Sequence, residues 1–188
     1  MPSLKDLRKL CISDVKRKLS CLPDDSLIIR VVKSLDEVSR VVKVLGSRFD
    51  DWSVFYSYKK RDKVLSDFER QLVSLRGFQK KLDAYLISLM RHRCPHLTSV
   101  ASHVIGARLI AASGSLEKLA RMPSSKIQVL GAEKALFRHL KTGSRPPKFG
   151  VIYFHGSVLN SPDKGKAARH LASRIAIAAR QDFYGKAL

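Results

Sequence analysis

An all-α fold is what this sequence predicts, and three features carry the prediction. Two long segments repeat apolar residues at steps of three and four, the spacing that places them on one face of a helix. A short polar link, "SVFYSYKKRD", joins them. Everything after Pro95 is rich in Ala, Ser and Gly, with one strand-like run, "VIYF" from Val151. The expected architecture is an antiparallel helical hairpin, a shortened coiled coil, followed by a compact helical domain. A basic segment spans 1–23, the hairpin 24–93 and the domain 94–188.

The N-terminal segment has weak helical spacing through Leu4, Leu7, Leu10, Val15 and Leu19. Asp24, Asp25 and Ser26 read as the cap of the first long helix. Its stripe comprises Leu27, Ile28, Val31, Val32, Leu35, Val38, Val41, Val42, Leu45, Phe49 and Trp52. The second stripe comprises Val64, Leu65, Phe68, Leu72, Leu75, Phe78, Leu82 and Leu86, and Pro95 ends it. Trp52, Phe55, Tyr56 and Tyr58 cluster at the hairpin tip, where packing is expected.

In the second half, Gly114 stops a small-residue segment, and Ser115 caps "LEKLARM" with Glu117 in its first turn. "PSSKIQVLG" reads as extended or turn-like, and Gly131 opens the helix "AEKALFRHLK", with Ala135, Leu136 and Leu140 expected in the core. "TGSRPPKFG" is a loop, and Ser161-Pro162 begins the last helix.

Charge narrows the function. With 36 Lys and Arg against 16 Asp and Glu, the net charge is +20. It is unevenly spread: from Arg91 onward there are 17 cations and four acids, Glu117, Glu133, Asp163 and Asp182. Such a field repels itself unless a polyanion neutralises it. Cys11, Cys21 and Cys94 are odd in number, and no CxxC occurs, which argues against a disulfide frame. No run approaches the ~18 apolar residues of a membrane span, and the N-terminus lacks the apolar run of a secretory signal. The expected location is therefore intracellular: cytoplasmic, or nuclear and nucleolar in a eukaryote.

Two basic elements are candidate phosphate contacts. At about 100° per residue, Lys166, Arg169, His170, Arg174 and Arg180 share one arc of the last helix. Ala167, Ala168, Leu171, Ala172, Ile175, Ala178 and Ala179 share the other. A merely solvated face would admit acids, and none occurs between Lys164 and Gln181. In the second element, Gly131 permits a close approach to a phosphate or a neighbouring carbonyl at a helix start. Lys134, Arg138 and Lys141 line one flank of that helix, His139 and Lys148 lie nearby, and Arg145 stands before a stiff Pro-Pro corner. His155 and Phe154 suit base stacking, with packing at a strand end as the alternative.

These residues carry a resemblance. "ASHVIGARLIAASGSLEKLARMPSSKIQVLGAEKALFRHLKTGSRPPKFGVIYFH", then "SP" and "GKAARHLASRIAIAARQDFYG", resemble the Nop domain. That family includes an archaeal fibrillarin-associated protein, two eukaryotic nucleolar relatives and a spliceosomal splicing factor. The hairpin resembles the family's coiled coil, so the likeness runs from Asp24 to Gly185. It implies a non-catalytic scaffold of box C/D-type guide ribonucleoproteins or related rRNA processing. Such a scaffold binds a kink-turn RNA already held by a small ribosomal-protein-like partner. It assigns RNA or partner contact to the Gly131–Lys141 helix and the last helix, and partner contact to Met122, Ser124 and Gln128. Departures accompany it. Archaeal members carry a fibrillarin-binding domain before the coiled coil, where only 1–23 stand here, so fibrillarin recruitment is expected to need a separate chain or to be absent. The hairpin is short, which leaves dimerisation open, and "DKGKAAR" lacks the family's aromatic residues.

Other classes fare worse. An RNA-acting nuclease or modification enzyme binding bare RNA is the alternative, but the acids of the basic half are isolated and no P-loop, GxSxG or dinucleotide glycine pattern occurs. "HRCPH" at His92–His96 lacks a second pair of metal ligands, so no cofactor is expected. An anionic-membrane binder would need better lipid anchors than the alanines of the last helix.

Overall fold

The structure, a computed structural model, describes residues 24–56 and 63–185. The expectation for 1–23 and the tip aromatics Phe55, Tyr56 and Tyr58 lies outside what is described of backbone or side chains. Every element among the described residues is helical. Helices α1 (Asp24–Tyr56) and α2 (Lys63–Arg93) form the hairpin. Then come α3 (Pro95–Ala101), α4 (His103–Ser113), α5 (Leu116–Arg121), α6 (Ser124–Val129), α7 (Glu133–Thr142), a 3-10 turn (Val151–Phe154), α8 (Gly156–Leu159) and α9 (Lys164–Tyr184).

The hairpin forms where the two stripes predict it. Ile28, Val31, Val32 and Leu35 face Leu86 and Met90 in the interior, and Phe49 and Trp52 meet Phe68 edge-on near the tip. The outer positions Val41, Val64 and Phe78 stay exposed. The hairpin and the body join through α4, which packs on both long helices. Polar links flank that joint. Arg108 forks onto Asp36 with Nη2–Oδ1 at 2.6 Å, and His103 Nε2 lies 3.0 Å from Asp83 Oδ1. At the centre of the body lies α9, which touches α3, α5, α6, α8 and the 3-10 turn. Its alanines, with Leu171 and Ile175, let those short helices come close.

Several local expectations are corrected. Asp25 does not cap its own helix: α1 already starts at Asp24, and Asp25 Oδ2 accepts the Leu116 N–H (2.9 Å) at the start of α5. "SSKIQV" is helical, because the Pro123 carbonyl accepts from Lys126 and Ile127 and buries the Ile127 side chain. "VIYF" is a 3-10 turn. Its entry is pinned by Gly150 N–H to the Gln128 carbonyl and Val151 N–H to the Leu130 carbonyl, and no described strand runs alongside. Helix α9 starts at Lys164 rather than at Pro162, because Asp163 Oδ1 accepts the Lys166 N–H at 2.9 Å and fixes the cap there. Ser115 and Gly114 behave as expected, the one accepting the Lys118 N–H and the other sitting at φ +90°.

Candidate nucleic-acid interface

On α9 the two arcs separate as the spacing predicts. Ala168, Leu171, Ala172, Ile175, Ala178 and Ala179 are buried, while Lys166, Arg169, His170, Arg174 and Arg180 are exposed. Arg180 is partly engaged, donating Nε–H to the Ala120 carbonyl at 3.2 Å. The side chains of the other four form no ion pair with a carboxylate among the described residues. Asp182, the acid inside α9, is fully buried on the inner face. Its Oδ2 accepts the Leu97 N–H (2.7 Å), and its Oδ1 accepts the His96 N–H (3.1 Å) and meets His96 Nδ1 (2.8 Å). It therefore caps α3, whose own N-cap residue, Cys94, makes no side-chain cap bond.

Beside the N-terminal half of α9 stands a group of rings that sequence reasoning only half foresaw. Phe149 stacks on Tyr153 (5.7 Å, 29°), and Phe154 meets Tyr153 edge-on (5.8 Å, 79°). Lys164 Nζ sits 5.5 Å from the Tyr153 ring centre. Ile152, between them, is fully buried and anchors the turn, whereas Phe154 is 65% exposed. His155 follows. Its Nδ1 accepts the Ser157 N–H (3.2 Å) and so caps α8, which places the neutral ring's proton on Nε2. Burial, and then the charge of Arg174, hold its pKa below the usual 6.5. The charge of Arg174, on the cationic face of α9, thus acts on His155, the residue that follows the ring cluster. Sequence spacing pointed to Phe154 and His155, but nothing local signalled Phe149, Tyr153 or Lys164, which meet only through the fold.

The foot of α7 touches the same cluster. A recess of about 400 Å³ lies between Gly131 and Ala132 on one side and Phe149, Tyr153 and Phe154 on the other. Gly131 sits at φ +86°, and a Cβ there would lie 2.4 Å from Val151 Cγ2; a Cβ on Gly150 would lie 1.9 Å from the Leu130 carbonyl oxygen. Both glycines thus serve a tight backbone crossing. The Gly131 N–H is not open to a phosphate here, since Glu133 Oε1 accepts it at 3.0 Å.

Lys134, Arg138 and Lys141 are exposed along α7 without carboxylate partners among the described residues, as are Arg145 and Lys148 beyond it. His139 is half-buried and donates Nδ1–H to the Ser144 carbonyl, which folds the following loop back. The expected core of α7 is a further correction. Ala135 is only half-buried; Leu136, Phe137 and Leu140 are 42%, 65% and 70% exposed, and α7 buries no residue at all. Periodicity found the apolar face, but the protein's own body does not cover it. Among the positions expected to meet a partner, Ser124 opens α6 half-exposed. Met122 packs on the core, and Gln128 Nε2 donates to the Lys148 carbonyl (3.1 Å), tying the loop down.

Comparison with known proteins gives the family and the fold. A family model described as "Nop: snoRNA binding domain, fibrillarin" matches residues 37–187. An uncharacterized NOP5 family protein of Methanocaldococcus jannaschii is 50% identical over 124 residues, 65% of this chain and 30% of that protein. Nucleolar protein 58 of Debaryomyces hansenii is 48% identical over 115 residues, 60% of this chain and 22% of its own length. This chain thus spans under a third of either relative. Among solved structures, a chain from a fibrillarin/Nop5p complex superposes with a TM-score of 0.68 at 29% identity, covering 95% of this chain and 69% of that one.

Proposed function

Because the chain belongs to the Nop family, we propose that it is a non-catalytic RNA-binding scaffold of a box C/D-type guide ribonucleoprotein, engaged in rRNA processing. It binds a kink-turn RNA together with a small ribosomal-protein-like partner. The observation that carries this reading is the exposed row Lys166, Arg169, His170 and Arg174 on α9, whose side chains form no ion pair with a carboxylate among the described residues, while Lys164 of the same helix reaches the ring cluster that lines the recess at the foot of α7. Cations lacking internal partners attract phosphates and release counterions when they meet them. The bare apolar stripe of Leu136, Phe137 and Leu140, beside Lys134 and Arg138, supports a mixed target of RNA and protein. The likeness to a chain solved with fibrillarin supports placing this protein in an assembly with fibrillarin, through a second chain.

Gel shifts with RNA alone, small partner alone and both together test the reading. Tight binding is expected only with both present. Arg169→Glu and Arg174→Glu should each weaken binding and flatten the slope of log K against log salt by about one. Equal affinity for bare RNA and for the RNA–protein complex, or salt slopes unchanged in both variants, would refute it.

A further inference from the structure

We propose that Phe154 is a stacking shelf for one unpaired nucleobase of the bound RNA, an inference that rests on the RNA-binding reading above. A phenylalanine left 65% exposed on a short turn is costly in water unless something covers it. The turn is also rigid. Ile152 on one side and Val158 on the other are fully buried, and backbone bonds from Tyr153 to Gly150 and from His155 to Ile152 close it. Phe154 is therefore held out rather than loose. Tyr153 is occupied by Phe149, Phe154 and Lys164, whereas Phe154 makes its one ring contact among the described residues edge-on. Next to it the 400 Å³ recess opens toward Ala132.

Charge decides which occupant fits. Lys164 lies over the neighbouring ring, and the charge of Arg174 acts on His155, the next residue. An apolar protein side chain seated here would strip water from those cations and return nothing. A nucleotide brings an aromatic face for Phe154 and a phosphate for the cations, the combination that single-stranded nucleic acid offers.

The test uses the full chain with its small partner and two RNA probes that share one kink-turn: in the first the adjoining stem has a short unpaired bulge carrying 2-aminopurine, and in the second that stem is fully paired. Phe154→Leu and Phe154→Ala should weaken binding of the bulged RNA roughly 5- to 100-fold, as stacking lost at one base implies. Both should leave binding of the paired stem unchanged, and Phe154→Trp should bind the bulged RNA as tightly as the wild type. The 2-aminopurine should be quenched by the wild type and not by Phe154→Leu. Because the side chain is exposed, each variant should keep the wild-type far-UV circular dichroism. Wild-type affinity for the bulged RNA in Phe154→Leu would overturn the shelf alone. So would a Phe154→Ala defect confined to binding the small protein. A wild-type protein that binds neither RNA overturns the function reading, and the shelf falls with it.

Discussion

Asp182→Ala is the sharpest test of how the basic helix is held. The carboxylate satisfies two backbone N–H groups in the first turn of α3, those of His96 and Leu97, at 3.1 and 2.7 Å. Leu97 is fully buried, so truncation leaves its donor without water, a loss of about 1–3 kcal/mol. The His96 N–H is only partly enclosed and adds about 1 kcal/mol, similar to a lost helix cap. The His96 ring can turn to solvent at little cost, since its side chain is 58% exposed. The total is roughly 2–4 kcal/mol, a large share of the 5–15 kcal/mol typical of a folded domain. For a chain of this size the melting temperature should fall by about 5–15 °C. Asp182→Asn should cost about half as much, because an amide keeps one acceptor and turns a donor toward the other N–H. Urea unfolding followed by circular dichroism, with the denaturant slope unchanged, measures both. A loss below about 0.5 kcal/mol for the alanine variant, or an asparagine variant equal to it, would refute the capping role.

Two further outcomes follow from the site. Gly131→Ala should cost roughly 1–3 kcal/mol, since it combines a left-handed backbone with a Cβ 2.4 Å from Val151 Cγ2. The double variant with Val151→Ala should recover the clash but not the backbone strain, and calorimetry of the three proteins separates the two. For His155, the folded-state pKa lies below the unfolded 6.5, so the unfolded chain binds the proton more readily. Its contribution to stability is complete above pH 6.5 and is lost as pH falls from there through the lowered folded value. Urea midpoints measured at intervals between pH 7.5 and 5 should show that decline in the wild type and less of it in His155→Asn, which keeps a cap acceptor without the titration.

The long hairpin was legible because a periodic stripe of β-branched and aromatic residues has few other ways to leave water. The exposed row on α9 was legible for the same reason in reverse: alanines mark the near side and cations the far one. What escaped was set by partners distant in the chain. Asp25 and Asp182 look like ordinary helix acids, yet each caps a helix some ninety residues away, which no local pattern announces. "VIYF" has the composition of a strand, but a strand needs a neighbour, and the crossing at Gly131 and Gly150 turns the chain into a tight coil instead. For α7, spacing identified an apolar face correctly while leaving open whether this chain or another molecule covers it.

The distribution of acids explains why so basic a protein folds with its cations facing outward. Of the four acids in the second half, three serve backbone N–H groups: Glu133 at Gly131, Asp163 at Lys166 and Asp182 at α3. The fourth, Glu117, pairs with Arg121 on α5. Asp36 and Asp83 in the hairpin face Arg108 and His103 on α4, so their charge strengthens the joint between hairpin and body. Negative charge is thus placed where helices must be capped or joined, and almost none is left to neutralise α7 or α9. A solvated surface with no partner would gain by interleaving the two signs, because like charges along one helix face repel. Spending the acids on caps and joints while the cations stay bare costs stability in the isolated protein, a cost that a polyanion lying across the basic face would offset.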